Sequence, residues 1–310
     1  MAAHAGVGLS KVVMKPEGTD CEFEVDFSRP IDCCVPITPE SPDIASDSKK
    51  SKQAQAFCLP CASVQPVKLG NWTGSVSKGS SVNVDLITIC VHGNGTHAEC
   101  IGHITRDHQS VHQLGWKPGF LICHLISVEP VRFESSGDDY NQNSKPKDWV
   151  ISEKSIKDAM GKIKFGPLET CPYSIQAVAI RTVNPKNGPK IVPDSSDERK
   201  SKNWSGTNPP YLTRQASQFL GNISRLRTLL VDLPSVDKED DGGMLIAHKA
   251  IFQPVEGKET GNRRLITESC CFPSKKETED GCYFLDLQLS PILNTDAVPA
   301  RPVLYSAELI

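Results

Sequence analysis

Residues 92 to 104, HGNGTHAECIGHI, contain three of the chain's 8 histidines, one glutamate and three glycines. In an extended chain His97 and Glu99 project together, because side chains two residues apart lie on one face of a strand. Imidazole and carboxylate are ligands for zinc, manganese and iron. His103 lies four residues after Glu99, one helical turn away, where an imidazole beside a metal could carry protons. A solvated surface loop could contain the same residues, so spacing alone leaves both interpretations open.

Two established metal motifs do not fit this segment. The H-E-x-x-H helix of metalloproteases places glutamate directly after the first histidine, whereas Glu99 comes two residues after His97. Nucleobase deaminases carry H-x-E followed downstream by P-C-x-x-C. His97-Ala98-Glu99 matches the first half, but the C-x-x-C of this chain, at 58 to 61, lies upstream. We therefore expect neither a metalloprotease nor a deaminase.

Apolar runs and alternation predict the elements that would position these residues. The pattern predicts strands near 23–27, 82–91, 119–133, 175–182, 227–233, 263–268, 282–289 and 302–306. A helix is expected over 152 to 163 behind a Ser152 N-cap, and a second over 213 to 220 with Gly221 as its stop. Strands with helices inserted between them, without an internal repeat, predict a mixed α/β fold.

The remaining segments predict the domain organisation. Residues 1 to 20 are expected to form a tail, and 21 to 310 a single domain. Polar stretches at 38–56, 134–148 and 183–206 predict loop insertions in that domain, which would suit partner contacts.

The composition argues against several classes of protein. A net charge of −3 disfavours a general nucleic-acid or anionic-membrane binder, although a local basic patch is compatible with it. No apolar run reaches the roughly 18 residues of a membrane span. The first residues lack the apolar core of a secretory signal. We therefore expect a cytoplasmic protein whose 12 cysteines are reduced.

The histidine segment resembles the H-x-G-T-H-x-D-x-P-x-H signature of the cyclase family, which includes the bacterial kynurenine formamidases. Gly95-Thr96-His97 matches G-T-H, and His103 matches the last histidine. Glu99 stands where the family has aspartate, and Ile101 replaces the proline.

Two downstream stretches extend the resemblance to about residues 78 to 306. LLVDLPSVDKEDDGGMLIAH, at 229 to 248, resembles the family's L-x-D-T-P-S-V-D…A-H, with Leu233 in place of threonine. RRLITE, at 263 to 268, resembles the strand that ends in a metal-binding glutamate. Asp232, Pro234 and Asp237 are expected only to shape the turn after a strand.

The resemblance implies a kynurenine formamidase/cyclase-like swivelling β/β/α fold and a divalent metal site, often binuclear zinc and sometimes manganese. By position, the first metal would take His97, Glu99, Glu268 and a second histidine. The second metal would take Glu99, His248 and Glu268. His103 maps to the general acid/base of the family. A homodimer with a shared active-site entrance is also implied.

His92 poses the main question of register. The family's first histidine falls at Gly93, and His92 lies one residue earlier. Either a one-residue bulge restores His92 as a ligand, or the first metal site loses it; we favour the bulge. Glutamate for aspartate at 99 adds a methylene, which could turn a binuclear bridge into a single-metal site.

The implied reaction is hydrolysis of a carbon–nitrogen bond that is not a peptide bond. A divalent ion lowers the pKa of its bound water toward 7. The family's substrates include aryl formamides such as N-formylkynurenine and cyclic amides such as isatin. The alternative is a catalytically silent homologue that serves as a binding or scaffold protein. Because the expected ligand positions keep competent residues, the sequence favours the enzyme.

Overall fold

The computed structural model describes residues 10–16, 21–41, 53–163, 175–186, 188–253 and 263–310. Within these ranges the strands, in chain order, are β1 (Lys11–Met14), β2 (Phe23–Asp26), β3 (Ile31–Asp32), β4 (Ser63–Pro66), β5 (Lys68–Leu69), β6 (Trp72–Thr73), β7 (Asp85–Thr88), β8 (His97–Glu99), β9 (Phe120–Val128), β10 (Val131–Arg132), β11 (Trp149–Ile151), β12 (Ala177–Thr182), β13 (Tyr211–Leu212), β14 (Thr228–Val231), β15 (Leu265–Glu268), β16 (Gly281–Leu289) and β17 (Ala297–Leu309).

The helices of the described residues are short, and they lie between the strands. They are α1 (Val91–Asn94), α2 (Phe133–Ser136), α3 (Glu153–Met160), α4 (Ser196–Lys200), α5 (Arg214–Gly221) and α6 (Ile246–Phe252), with 3₁₀ turns at Val76–Lys78 and Ile101–Ile104. Within the described part of the chain, none of them has the length and hydrophobicity needed to cross a membrane.

A closed barrel organises the sheet. Its order is β17-β16-β9-β12-β14-β15-β8, and β8 pairs back to β17. The four strands from β9 to β15 run parallel, and the pairings that involve β16, β17 and β8 are antiparallel. Closure leaves these strands without a free edge, and β8, only three residues long, completes it.

Burial explains why the central strands read as continuous apolar runs. Every residue of β12 and of β14 is buried, as parallel strands covered on both faces must be. On one side α3 packs against β9 and α5, and α5 packs against α6. The predicted mixed α/β fold is confirmed, and so is the Ser152 N-cap, whose side chain accepts from the Ser155 amide.

Three expectations differ from the structure. The predicted strand at 82–91 shortens to β7, which is fully exposed and pairs with β4 outside the barrel. Part of the predicted tail forms β1, an edge strand paired with β2. The polar stretch at 134–148 is not a simple loop, because it buries Tyr140 and Asp148. Of the polar stretch at 38–56, residues 42–52 lie outside the described residues.

The stretch at 183–206 also departs from a plain loop. It contains α4, and it buries Arg199 and Trp204. The guanidinium of Arg199 lies 2.8 Å from the carboxylate of Asp232, which is also buried and also accepts the Thr182 amide. Asp232 therefore fixes α4 to the barrel rather than merely shaping a turn, because a buried carboxylate requires a partner for its charge.

Helix α6 was not predicted from the sequence. Its first amides bond to carboxylates rather than to a local serine or threonine cap: Asp237 accepts from the amides of Ala247 and His248. Just before the helix, Asp241 accepts from the amides of Gly243, Met244 and Leu245. A helix start that depends on an aspartate ten residues upstream leaves no N-cap signature in the local sequence.

Gly102 permits the tight turn that follows β8. A Cβ at Gly102 would overlap the carbonyl oxygen of Gln109 and lie 2.8 Å from its backbone nitrogen. We expect Gly102→Ala to lower the free energy of unfolding by about 1–3 kcal/mol, the range for inserting atoms into a packed site. Gly281→Ala is the matched control, since the nearest atom to its Cβ is 3.7 Å away. Equal urea midpoints for the two variants would contradict this account.

Candidate metal centre

The register of β8 sets the centre of the site. His97 pairs with Glu268 of β15, and Glu99 pairs with Ala297 of β17. Residues directly opposite in an antiparallel pair share a face, as do residues two apart in one strand. His97, Glu99 and Glu268 therefore lie on one face, while Ala98 points into the apolar core.

His248 on α6 closes over this face. Its Nε2 lies 2.5 Å from Oε1 of Glu99 and 3.7 Å from Oε1 of Glu268. Nε2 of His97 lies 3.6 Å from the other oxygen, Oε2, of Glu268. All four side chains are buried. The structure thus brings together these four of the five ligands expected from the sequence.

His92, the fifth expected ligand, reaches the same cluster from α1. Its Nδ1 lies 3.2 Å from Oε2 of Glu99, and its ring centroid lies 5.2 Å from that of His97. The extra residue before Gly95 is accommodated by one helical turn, Val91–Asn94, rather than by the expected bulge in a strand. The turn places His92 beside Glu99 despite the shift in register.

His103 lies on the 3₁₀ turn at the more open side of the cluster. Its side chain is 29% exposed, whereas that of Glu99 is 1% exposed. Nδ1 of His103 lies 3.8 Å from Oε2 of Glu99 and 3.0 Å from Oδ2 of Asp296. The ring centroids of His103 and His248 are 5.4 Å apart. His103 is thus next to the buried carboxylate yet accessible from outside.

Asp296 belongs to the site and was missed in the sequence. Its Oδ2 lies 3.0 Å from both Nε2 of His92 and Nδ1 of His103, so one carboxylate oxygen holds two imidazoles. Asp296 directly precedes β17, whose first residue pairs with Glu99. The only signal in the sequence was an aspartate immediately before a strand, which is too common to single out.

Asp237 corrects a second expectation. It was expected only to shape a turn, but its Oδ2 lies 2.5 Å from Nδ1 of His248. The hydroxyl of Tyr140 donates to the other oxygen at 2.6 Å. A carboxylate that accepts from Nδ1–H of a histidine fixes the ring orientation and leaves Nε2 to act as a ligand. Asp237 therefore orients His248 toward the two glutamates.

The carboxylates control the protonation of the imidazoles. Burial opposes the charge of His92, but its hydrogen bond to Asp296 and the carboxylate of Glu99 beside it outweigh burial and raise its pKa to about 10. For His248, burial is likewise outweighed, by the charge of Glu99 and the hydrogen bond to Asp237, and the pKa rises well above its usual value. The hydrogen bonds from His103 and His92 lower the pKa of Asp296. Without a metal, the protonated imidazoles of His92 and His248 offset the negative charge of the carboxylates.

The donor set fits a divalent metal ion. Nδ1–H of His97 donates to the carbonyl of Gly95 at 3.0 Å, which leaves a lone pair on Nε2. That Nε2 and Oε2 of Glu99 are both buried without a hydrogen-bond partner. Two groups of candidate ligands share Glu99, namely His92, His97 and Glu99, and Glu99, His103 and His248. Mixed imidazole and carboxylate donors suit zinc, manganese and iron.

Comparison with known proteins assigns the family. The family model described as "Putative cyclase" matches residues 25 to 238, more than half of the 310 residues. The chain belongs to the Cyclase family. No curated protein matches it in sequence. The resemblance of the histidine segment to the Cyclase family is therefore confirmed, whereas the stretch at 263 to 268 lies outside the matched residues.

Solved structures share the Cyclase fold at low sequence identity. A novel cyclase is 12% identical, with a TM-score of 0.54, over 89% of this chain and 86% of that chain. Isatin hydrolase A from Labrenzia aggregata, bound to benzyl benzoate, is 14% identical over 90% of this chain and 94% of its own, with a TM-score of 0.52. A potential metal-dependent hydrolase with cyclase activity is 15% identical over 90% and 98%, with a TM-score of 0.50.

The position where this Cyclase member departs from the signature has a geometric explanation. The two oxygens of Glu99 face different partners, Oε1 toward His248 and Oε2 toward His92 and His103. The added methylene of glutamate lets the carboxylate extend between α1 and α6. The exchange of aspartate for glutamate therefore keeps the shared carboxylate between the two groups of histidines.

The raised pKa of His92 makes the stability of the metal-free protein depend on pH. With a folded pKa of about 10 against 6.5 unfolded, the stabilisation is complete below pH 6.5 and is lost as pH rises through 10. At about 1.4 kcal/mol per pKa unit the whole shift corresponds to about 5 kcal/mol, and we expect about 4 kcal/mol of it to be lost between pH 6.5 and 10 in chelator-treated protein. Urea unfolding from pH 6.5 to 10 measures it.

His92→Gln should remove this part of the pH dependence. His112→Gln is the control, because His112 bonds to the carbonyl of Ser290 and not to the cluster. Parallel stability curves for the wild type and His92→Gln would show that His92 is not held as an imidazolium.

Proposed function

We propose that the chain is a metal-dependent hydrolase of carbon–nitrogen bonds in non-peptide amides. One observation carries the proposal. Four carboxylates converge on five histidines, of which His108 is exposed, and no lysine or arginine among the described residues forms an ion pair with any of the carboxylates. The carboxylates are Glu99, Asp237, Glu268 and Asp296. Such a cluster can be neutralised by protons or by a divalent ion, and at neutral pH an ion is the more effective.

The ligands that we assign are His92, His97, Glu99, His248 and Glu268. Zinc or manganese suits these donors. One or two ions would fit. His92 and His97 form one candidate group with Glu99, and Oε1 of Glu99 lies 2.5 Å from Nε2 of His248, which is 3.7 Å from Oε1 of Glu268. When bound, a divalent ion in such a site lowers the pKa of water and polarises the carbonyl of an amide.

His103 is the residue that we assign to proton transfer. Its Nδ1 lies 3.0 Å from Asp296, and a carboxylate there accepts the Nδ1 proton and leaves Nε2 to exchange protons. The side chain of His103 is 29% exposed, against 2% for that of His248, so a substrate can approach it. His92 is similarly exposed, at 27%, but is assigned as a ligand. It would accept a proton from the attacking water and deliver one to the leaving nitrogen, as a general base and then a general acid.

Two substrate classes are consistent with the site. Aryl formamides such as N-formylkynurenine are linear amides that the family resemblance suggests. Cyclic amides such as isatin are supported by the fold shared with isatin hydrolase A from Labrenzia aggregata. In both, the bond that breaks joins a carbonyl carbon to an aryl-linked nitrogen. A cytoplasmic location is part of the proposal and rests on the sequence alone.

The alternative function is that of a catalytically silent homologue that binds partners. A silent homologue is free to lose ligands, whereas here every expected ligand lies in the cluster. Asp237 and Asp296, which hold three of the histidines, also have no evident use in a scaffold. These contacts favour the enzyme.

Metal content and turnover test the proposal together. Protein prepared without chelator should contain about one or two equivalents of zinc or manganese, measured by elemental analysis. His97→Ala and Glu99→Ala should lose the metal, because each removes a buried donor. His103→Ala should keep the metal and lose about 10²–10⁴-fold in kcat, the usual contribution of a general acid/base. The substrate panel should include aryl formamides, isatin and cyclic imides.

His112→Ala serves as the control, since it removes an imidazole outside the cluster. Wild-type protein that contains no metal and cannot be loaded would refute the metal site. Metal-loaded protein that hydrolyses no member of the panel would favour the binding protein instead.

We also propose that the chain forms a homodimer through the arm of residues 63–88. In this arm β4 pairs with β7 and β5 with β6, and neither pair joins the barrel. A two-stranded ribbon is marginal by itself, and large exposed apolar side chains usually mark an interface. The arm exposes Leu69, Val76, Val82, Val84, Leu86 and Ile87. Because β7 leads directly to α1, a second copy on this arm would lie near His92.

Light scattering tests the dimer. We expect the wild type to elute as a dimer and Leu86→Lys/Ile87→Glu as a monomer with its metal retained, because two exposed apolar side chains become charged. Val13→Lys is the control, an exposed apolar residue on β1 that lies outside the arm. A monomeric wild type, or a double variant that stays dimeric, would contradict this interface.

A further inference from the structure

A second cavity lies at the opposite end of the parallel strands from the metal centre. Glu268 is the last residue of β15, whereas Arg264 directly precedes that strand. Arg227 precedes the neighbouring β14, and its carbonyl accepts the amide of Leu265. These strand starts line one side of a cavity of about 530 Å³. None of its lining residues belongs to the metal centre.

The lining is cationic. Among the described residues, the lining includes one lysine and four arginines and no aspartate or glutamate. The cations are Lys117, Arg225, Arg227, Arg263 and Arg264. The whole chain is acidic, with a net charge of −3, so this concentration of positive charge is local. In the described part of the chain, no carboxylate lies within ion-pair distance of these five side chains.

Arg264 forms the rigid base of the cavity. Its guanidinium is buried and donates only to backbone carbonyls at the ends of α5 and α6 and in the loop before β14, those of Gly221, Ile223, Leu226 and Ile251. Burial lowers the pKa of Arg264. Arg264 therefore supplies positive potential while its own donors are already used.

The guanidinium of Arg227 lies over the indole ring of Trp116. Its guanidinium carbon lies 4.8 Å from the centroid of the Trp116 ring, a cation–π distance. Burial also lowers the pKa of Arg227. Stacking on Trp116 restricts the orientation of the Arg227 guanidinium and leaves its N–H groups available as hydrogen-bond donors. Arg225 and Arg263 are exposed at the rim, one beside each strand start.

We propose that this cavity binds a small molecule through a phosphate or pyrophosphate group. A guanidinium group binds phosphate oxygens through two parallel hydrogen bonds. At a protein surface, carboxylates commonly bind the same donors. A concave site of this volume suits a small ligand, since typical sites span about 300–1,000 Å³. An acidic chain with one basic concavity fits a small anion better than a nucleic acid, which needs an extended basic face.

Calorimetric titration of the full-length protein with inorganic pyrophosphate tests the site at fixed ionic strength. We expect the wild type to bind and Arg225→Gln/Arg263→Gln to bind at least about ten-fold more weakly, because each lost guanidinium removes charge-assisted hydrogen bonds. Lys117→Gln, on a different loop, should weaken binding by several-fold. Removal of the metal by pyrophosphate affects all these proteins alike, so the difference between them reports the cavity.

Arg29→Gln/Lys276→Gln is the charge-matched control, because it removes two exposed cations outside the cavity lining and outside the arm. Unchanged affinity in this control supports the site. No binding by the wild type, or equal affinity in the Arg225/Arg263 variant, would overturn it. Citrate bound as tightly as pyrophosphate would reject selectivity for phosphate. If a single-stranded oligonucleotide bound more tightly than pyrophosphate, and the Arg225/Arg263 variant lost that binding, the ligand of the cavity would be a nucleic acid rather than a small molecule.

Discussion

Two glutamates buried side by side are the constraint on which the site depends. Glu99 and Glu268 are each almost fully removed from water. They lie on adjacent antiparallel strands, with their side chains on the same face. Burying a carboxylate without compensation costs several kcal/mol. The protein offsets that cost with imidazoles. Imidazoles also release their protons when a divalent ion binds to them. The same arrangement can therefore fold without metal and bind metal afterwards.

Barrel closure brings the members of the cluster together. They come from positions 92 to 103, 237 to 248, 268 and 296, which only the tertiary fold makes neighbours. β8 is only three residues long, and its register against β15 and β17 sets which of them meet. A slip of one residue would turn His97 and Glu99 into the apolar core and Ala98 into the site. Closure on both sides prevents that slip.

Local rules predicted part of this site and failed where contacts were long-range. The two-residue spacing placed His97 and Glu99 on one face, and apolar runs predicted β9, β12 and β14. The alternation at 82–91 was misleading, because exposed valines on an arm have the same pattern as a half-buried strand. α6 and the role of Asp237 could not be predicted, since the helix start and the histidine orientation depend on a carboxylate from a separate turn. Asp296 reaches the site only because β17 pairs with β8, which the local sequence does not show.

Strand β15 links the two charged regions of the molecule. It begins just after Arg264, at the cationic cavity, and ends in Glu268, at the metal centre. At about 3.3 Å per residue, those two residues are about 13 Å apart along the strand. The carboxylates at one end hold cations, and the guanidinium groups at the other are without counter-charges in the described residues. Because the two clusters share no residue, a ligand at one end need not disturb the geometry of the other. The barrel can therefore carry two sites of opposite charge preference on one short strand.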